Sequence, residues 1–129
     1  MKSAFLSVDE ILEIHAFQIE RFGGADGIRD EELLRSTAAM PMATFGGEYL
    51  HRGLFEMAAA YLFHIVQNHP FIDGNKRTGA MAAAVFLDMN GIALDVDDDD
   101  FTAMVLSVAS GEMDKEAICA FLKSHAKGQ

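Results

Sequence analysis

From Gly79 to Leu87 every residue of the chain is apolar: Gly79-Ala80-Met81-Ala82-Ala83-Ala84-Val85-Phe86-Leu87. Such a run falls short of the ~18 residues that span a bilayer. A helix that is apolar on nearly every side belongs at the centre of a bundle, packed by neighbours on several sides. This segment therefore predicts a helical domain built around a central apolar helix.

The flanking sequence agrees. Ser7 with Glu10 forms a capping box, and Leu6 is placed to staple onto Ile11. Ile11, Ile14, Ile19 and Phe22 then recur on one face until Gly23-Gly24 stop the helix. Asp30 caps a shorter second helix carrying Leu33 and Leu34 and ended by Pro41. A third helix is expected from about Gly53 to Asn68, with Leu54, Met57, Ala58, Tyr61, Leu62 and Ile65 inward, and the central helix from about Asn75 to Asn90. Asp97 to Asp100 cap a fifth helix and Asp114 a sixth, with Gly91 and Gly111 as breaks. Between helices two and three, Phe45-Gly46-Gly47-Glu48-Tyr49 sets turn glycines among strand-prone aromatics and predicts a small β-hairpin-like flap. The expectation is a single all-α domain over residues 1–129, of about six helices with one flap.

With 129 residues the chain is large enough to bury a core without staples. Its lone cysteine, Cys119, excludes an internal disulfide and sits at helical spacing among Ile118, Phe121 and Leu122 as a small buried hydrophobe. The N-terminus turns acidic at Asp9-Glu10, too early for a secretory signal, so the cytoplasm is the expected compartment and no membrane association is expected. Ten basic against twenty acidic residues give a net charge of −10, which disfavours nucleic acid as a partner.

The chemistry is concentrated in His69-Pro70-Phe71-Ile72-Asp73-Gly74-Asn75-Lys76-Arg77-Thr78. His69 suits proton transfer near neutral pH. Asp73 is a hard oxygen ligand for Mg²⁺. Gly74 allows close approach of backbone to an anion, and Asn75 stands where a helix N-cap is expected. Lys76 and Arg77 lie in a first helical turn, where cations oppose the helix dipole unless an anion compensates them. Taken singly, these residues also read as a loop histidine, a turn, a cap and solvated cations. Together they suit transfer of a phosphate-bearing group.

This string closely resembles the signature of the Fic/Doc family. Leu6 to His15, Arg21-Phe22-Gly23-Gly24, Gly27-Ile28-Arg29-Asp30 and the flap resemble the Doc (death-on-curing) branch, so the likeness covers nearly the whole chain. The resemblance implies the six-helix Fic/Doc fold, with His69 as general base and Asp73 helping to bind Mg²⁺. Gly74, Asn75, Lys76 and Arg77 would then cradle the phosphates of ATP or another nucleoside triphosphate. The flap residues Phe45, Gly46, Gly47, Glu48 and Tyr49 would hold a target segment in extended form.

Fic adenylylating enzymes usually carry glycine in place of Lys76 and a second arginine in place of Ala80. Both departures are shared with Doc toxins, in which the nucleotide lies reversed and its γ-phosphate faces the histidine. The implied activity is phosphorylation of a protein hydroxyl, with the translation factor EF-Tu as the family's target. Pro70 and Gly74 are the Fic-like choices, so AMP transfer stands as the alternative. The inhibitory motif Ser/Thr-x-x-x-Glu-Gly/Asn is approached only by Thr44-Phe45-Gly46-Gly47-Glu48-Tyr49, which ends wrongly. Inhibition is therefore expected from a separate antitoxin, through a helical segment in an apolar groove.

Three rival readings are weaker. His64, His69 and Asp73 as a metallohydrolase set lack the three- or four-residue spacing that puts histidines on one helix face. A non-catalytic nucleotide- or antitoxin-binding module leaves the intact loop chemistry unused. A calcium loop at Asp95 to Asp100 lacks the glycine and distal glutamate of an EF-hand, and reads better as a cap with first-turn acids. His15 and His51 find no partner in the sequence.

Overall fold

The computed structural model describes residues 4–127, so the outermost residues of the expected 1–129 domain lie outside the described part. Six helices run in order: α1 Val8–Phe22, α2 Glu31–Ala39, α3 Leu54–Asn68, α4 Asn75–Met89, α5 Asp98–Ala109 and α6 Lys115–Ser124. A 3-10 turn, Met40–Met42, continues α2 through Pro41, and the hairpin β1 Thr44–Phe45 and β2 Glu48–Tyr49 follows it. The all-α expectation with one flap holds.

Local chemistry accounts for the boundaries. The Ser7–Glu10 capping box forms, and the staple pair Leu6 and Ile11 is buried. Asp30, Asp97 and Asp114 each cap a helix with a side-chain oxygen, and Asp98 to Asp100 fill the first turn of α5. That is the cap reading of the acidic run. In the hairpin, Gly46 and Gly47 hold φ of 61° and 83°, the two positive values that a type I′ turn requires.

The apolar α4 is packed on several sides as expected, but α3 shares the centre with it, and the inward face of α1 differs from its apolar spacing. The most central element is α3, which packs against α2, the 3-10 turn, α4, α5 and α6. It buries Ala59, Ala60 and Val66 in addition to the expected Met57, Ala58, Tyr61, Leu62 and Ile65. The apolar α4 packs on α1, α3 and α5 but leaves Met81 exposed beside a groove against α1. Gly79 explains why the two helices are so close: a Cβ there would lie 2.8 Å from Val66 Cγ2 and 3.2 Å from the Leu62 carbonyl oxygen. On α1 the buried positions are Ile11, His15 and Gln18, while Phe22 is half exposed. Ile11 joins the apolar core, whereas His15 meets the loop 69–74, so the inward face is partly polar.

The N-terminal segment is tied down by side chains. Tyr61 accepts from the Leu6 N–H at 2.9 Å and donates to the Leu6 carbonyl at 3.2 Å. Burial of its ring pushes the Tyr61 hydroxyl up to about 12.

Candidate active site

The sequence places three elements around one loop. Helix α3 ends at His69, whose backbone is left-handed at φ 50° and ψ 56°, the one non-glycine residue with positive φ among the described residues. That conformation costs about 1–2 kcal/mol for a residue with a Cβ, and the neighbourhood holds it. Arg29 donates from Nε to the His69 carbonyl (2.5 Å) and from a terminal nitrogen to the Asn68 carbonyl (2.7 Å), satisfying free ends of α3. Pro70 is buried, and its carbonyl accepts the N–H groups of Arg29 and Asp30. Ile28 bridges Phe71, and the Ile72 N–H donates to the Gly27 carbonyl at 3.0 Å. The segment Gly27 to Asp30 is therefore a splint along the loop, and it leaves the His69 side chain exposed.

Asp73 is exposed, and both its carboxylate oxygens are held by backbone. Oδ1 accepts from the Gly74 N–H at 2.8 Å and Oδ2 from the Ala25 N–H at 3.2 Å. These hydrogen bonds, led by that from Gly74 and aided by Lys76 and Arg77, hold the carboxyl below the usual carboxylate range. A preformed, ionised, hard-oxygen donor is the type that Mg²⁺ takes when substrate oxygens and water complete its shell. Among the described residues no cluster of three His, Cys, Asp or Glu side chains forms. A metal here would therefore lean on the substrate for its other ligands.

Gly74, not Asn75, is the N-cap of α4, with φ 79°. Its missing Cβ also gives room to α1, since a Cβ would lie 3.1 Å from Ile19 Cδ1. Asn75 is the first helical residue, and its side chain turns back into the loop, accepting from the Phe71 N–H and donating to the Phe71 carbonyl, both at 3.0 Å. The sequence expectation of Asn75 as N-cap is corrected: its side-chain amide is a loop clamp, and at 7% exposure it is buried.

The start of α4 differs from that of every other α-helix among the described residues. The other five carry an acid in the first turn, and four of them have a side-chain cap. Helix α4 has neither, and presents exposed Lys76 and Arg77 there instead. Free N–H groups, the positive end of the dipole and two cations converge where an anion is favoured. The Arg77 guanidinium rests 4.4 Å from the ring centroid of the half-exposed Phe22, a cation–π contact that orients it. Phe22 is a site residue that its helical spacing alone assigns to the core.

His15 is the second residue missed. It is 2% exposed, its ring stacks on Phe71 with centroids 3.8 Å apart, and Nε2 donates to the Asp73 carbonyl at 2.8 Å. The sequence signal was present only as a histidine on the inward face of α1. His64, imagined with His69 and Asp73 as metal ligands, instead accepts with Nε2 from Lys115 Nζ at 3.2 Å, and His51 shares the same ammonium at 3.3 Å. Burial, then the Lys115 charge, lowers His64 to about 4 and His51 in the same direction.

All five flap residues are exposed, Phe45 at 81%. Tyr49 packs on Phe5 at 5.6 Å, and Glu48 pairs with Arg52 at 3.4 Å. Both two-residue strands leave their outer edges free among the described residues. No helix is long and apolar enough to cross a membrane among those residues.

The model of the Fic/DOC family matches residues 5–87, from the start of the described chain to near the end of α4. The chain is 39% identical over 107 residues to the protein named Toxin Doc of Mycolicibacterium smegmatis, covering 81% of this chain and 82% of that one. It is 29% identical over 118 residues to the Protein kinase doc of Escherichia phage P1, covering 92% of each.

Proposed function

The chain belongs to the Fic/DOC family, and from that premise we propose that it is a Doc-type toxin. In this reading it is a cytosolic protein kinase that moves the γ-phosphate of ATP, or another nucleoside triphosphate, to a Ser/Thr hydroxyl of a translation factor such as EF-Tu. The observation that carries the reading is the start of α4, which lacks any acid or side-chain cap and has Asp73, Lys76 and Arg77 around it. The names of the two relatives support the toxin and kinase parts.

The residues divide the work. The α4 N–H groups, Lys76 and Arg77 bind the triphosphate, and Gly74 lets the chain turn tightly beneath it. Asp73 would hold Mg²⁺, which supplies charge neutralisation on the phosphates. The flap holds a target segment by adding it as an extended strand to the free edge beside Phe45 and Tyr49. His69 takes the proton of the target hydroxyl as that oxygen bonds to the γ-phosphorus. The β–γ bridging bond breaks, and the nucleoside diphosphate leaves. Positioning and electrostatics supply most of the acceleration in such transfers.

Restraint would come from a separate antitoxin. The groove between α1 and α4, about 310 Å³, is lined by Leu6, Ile14, Phe17, Met81 and Val85, with Glu10 and Glu13 among its walls. Gln18 also lines it, buried, with Nε2 unpartnered among the described residues. An amphipathic helix with basic flanks suits that lining. Expression of the chain alone should then arrest growth, and a co-expressed protein with such a helix should relieve it; unimpaired growth without any partner counts against the toxin reading.

The direct test is intact-mass spectrometry of EF-Tu after incubation with this protein, ATP and Mg²⁺. A gain of one phosphate, lost roughly 10²–10⁴-fold in rate with His69→Ala, is the expected result. A gain of one AMP would replace the kinase reading with adenylyl transfer. No His69-dependent change on EF-Tu would refute that target.

A further inference from the structure

We propose that His15 is a positioning residue for this site, setting the Asp73–Gly74 peptide from α1 so that the Asp73 carboxylate and the start of α4 face the same phosphates. The inference rests on the reading of Asp73 as a Mg²⁺ ligand beside a nucleoside triphosphate.

Three observations lead to it. First, His15 is nearly fully buried, yet its polar atom does not serve the core: Nε2 donates to the carbonyl of Asp73, the peptide that links the carboxylate residue to the N-cap of α4. Second, the ring lies flat on Phe71, with 5° between the planes, and Phe71 is the residue whose peptide Asn75 clamps. His15 thus meets the loop at both Phe71 and Asp73, the two residues that fix its path. Third, the carboxylate itself is aimed from the same side. Oδ2 accepts from Ala25, in the turn that leaves α1, and a Cβ on Gly24 would lie 2.7 Å from that oxygen. Helix α1 and its exit are therefore the template on which Asp73 is shaped, with the carbonyl end gripped by His15 and the carboxylate end by Ala25.

The far side of the imidazole supports the assignment. Nδ1 lies 3.9 Å from Asp26 Oδ1, and that oxygen accepts the Gly27 N–H at 2.8 Å. The Gly27 carbonyl in turn receives the Ile72 N–H. The ring is fixed by its stack on Phe71 and its hydrogen bond to the Asp73 carbonyl, with Asp26 near its far side. Groups that orient a metal ligand in this way affect metal affinity although they never touch the ion, commonly by 10- to 100-fold.

The test separates the N–H from the ring. His15→Phe keeps a ring for Phe71 and removes the donor, whereas His15→Gln keeps an N–H at similar reach and removes the ring. ATP binding is measured by titration calorimetry with excess Mg²⁺ and again with EDTA, and the ratio of the two affinities gives the gain due to the metal. For His15→Phe that gain should fall roughly tenfold with metal-free binding unchanged, and His15→Gln should restore most of it. Equal weakening of both titrations, or a gain as large as wild type in His15→Phe, would assign His15 to packing and overturn the proposal. If His15→Phe does not fold, His15→Gln decides: a wild-type gain supports the N–H, and a lost gain refutes it. Absence of any metal-dependent gain in the wild type would remove the Asp73 reading itself, a result distinct from a gain that ignores His15.

Discussion

Asn75→Ala separates the two roles that this residue can play. In the structure the amide forms two hydrogen bonds with the Phe71 peptide, at 3.0 Å each, between residues that are 7% and 0% exposed. The substitution leaves a buried N–H and a buried C=O without partners, and an orphaned buried polar group costs about 1–3 kcal/mol. The two together predict a loss of roughly 2–6 kcal/mol, a large share of the ~5–15 kcal/mol that stabilises a domain of this kind. Urea unfolding followed by circular dichroism is the assay: the midpoint should move down with the slope unchanged. Nucleotide affinity, measured where the variant is still folded, should fall only as far as the loop loosens. An unchanged midpoint with abolished nucleotide binding would refute the clamp and return Asn75 to the phosphates.

Two further outcomes follow from the packing. Because burial and Lys115 lower His64 to about 4, the unfolded chain, with an ordinary histidine near 6.5, binds the extra proton first. Stability should therefore be full above pH 6.5 and fall as the pH drops towards 4, by about 1–2 kcal/mol once partial exposure is discounted, with His51 adding in the same direction. Urea midpoints across that range check it, and a slope unchanged in His64→Gln would show that the loss arises elsewhere. Gly79→Ala should destabilise the protein by about 1–3 kcal/mol despite alanine's better helix propensity, because its Cβ meets the stiff Val66 side chain and the Leu62 carbonyl. A higher thermal midpoint for that variant would contradict the close α3–α4 approach.

What could be read from the sequence was what local chemistry decides. Ser7, Asp30, Asp97 and Asp114 cap the helices they precede, because a cap needs only a side chain and the N–H groups a few residues ahead. Gly46-Gly47 made the hairpin for the same reason. The loop His69 to Arg77 stood out because its residue types conflict with a plain helix start. What remained hidden depends on contacts between distant segments. Phe22 has apolar spacing but meets Arg77, and His15 lies on an inward face whose neighbour is the Asp73 peptide, 58 residues away. Asn75 occupies the expected place to within one residue, yet that shift turns its amide from the helix end to the loop. Periodicity identifies which side of a helix faces inward but not whether apolar side chains or a backbone carbonyl await it there.

The left-handed backbone of His69 has an evolutionary consequence. Glycine is the residue preferred after a helix in that conformation, so the position is one at which the functional side chain and the stable one differ. Replacement of His69 by glycine would relieve about 1 kcal/mol of backbone strain while removing the proposed base. Glycine's greater freedom in the unfolded chain offsets part of that gain, so the exchange costs the fold little or nothing. A protein about as sturdy, without the proposed base, is thus one substitution away, and if His69 is that base, only a requirement for activity opposes the exchange.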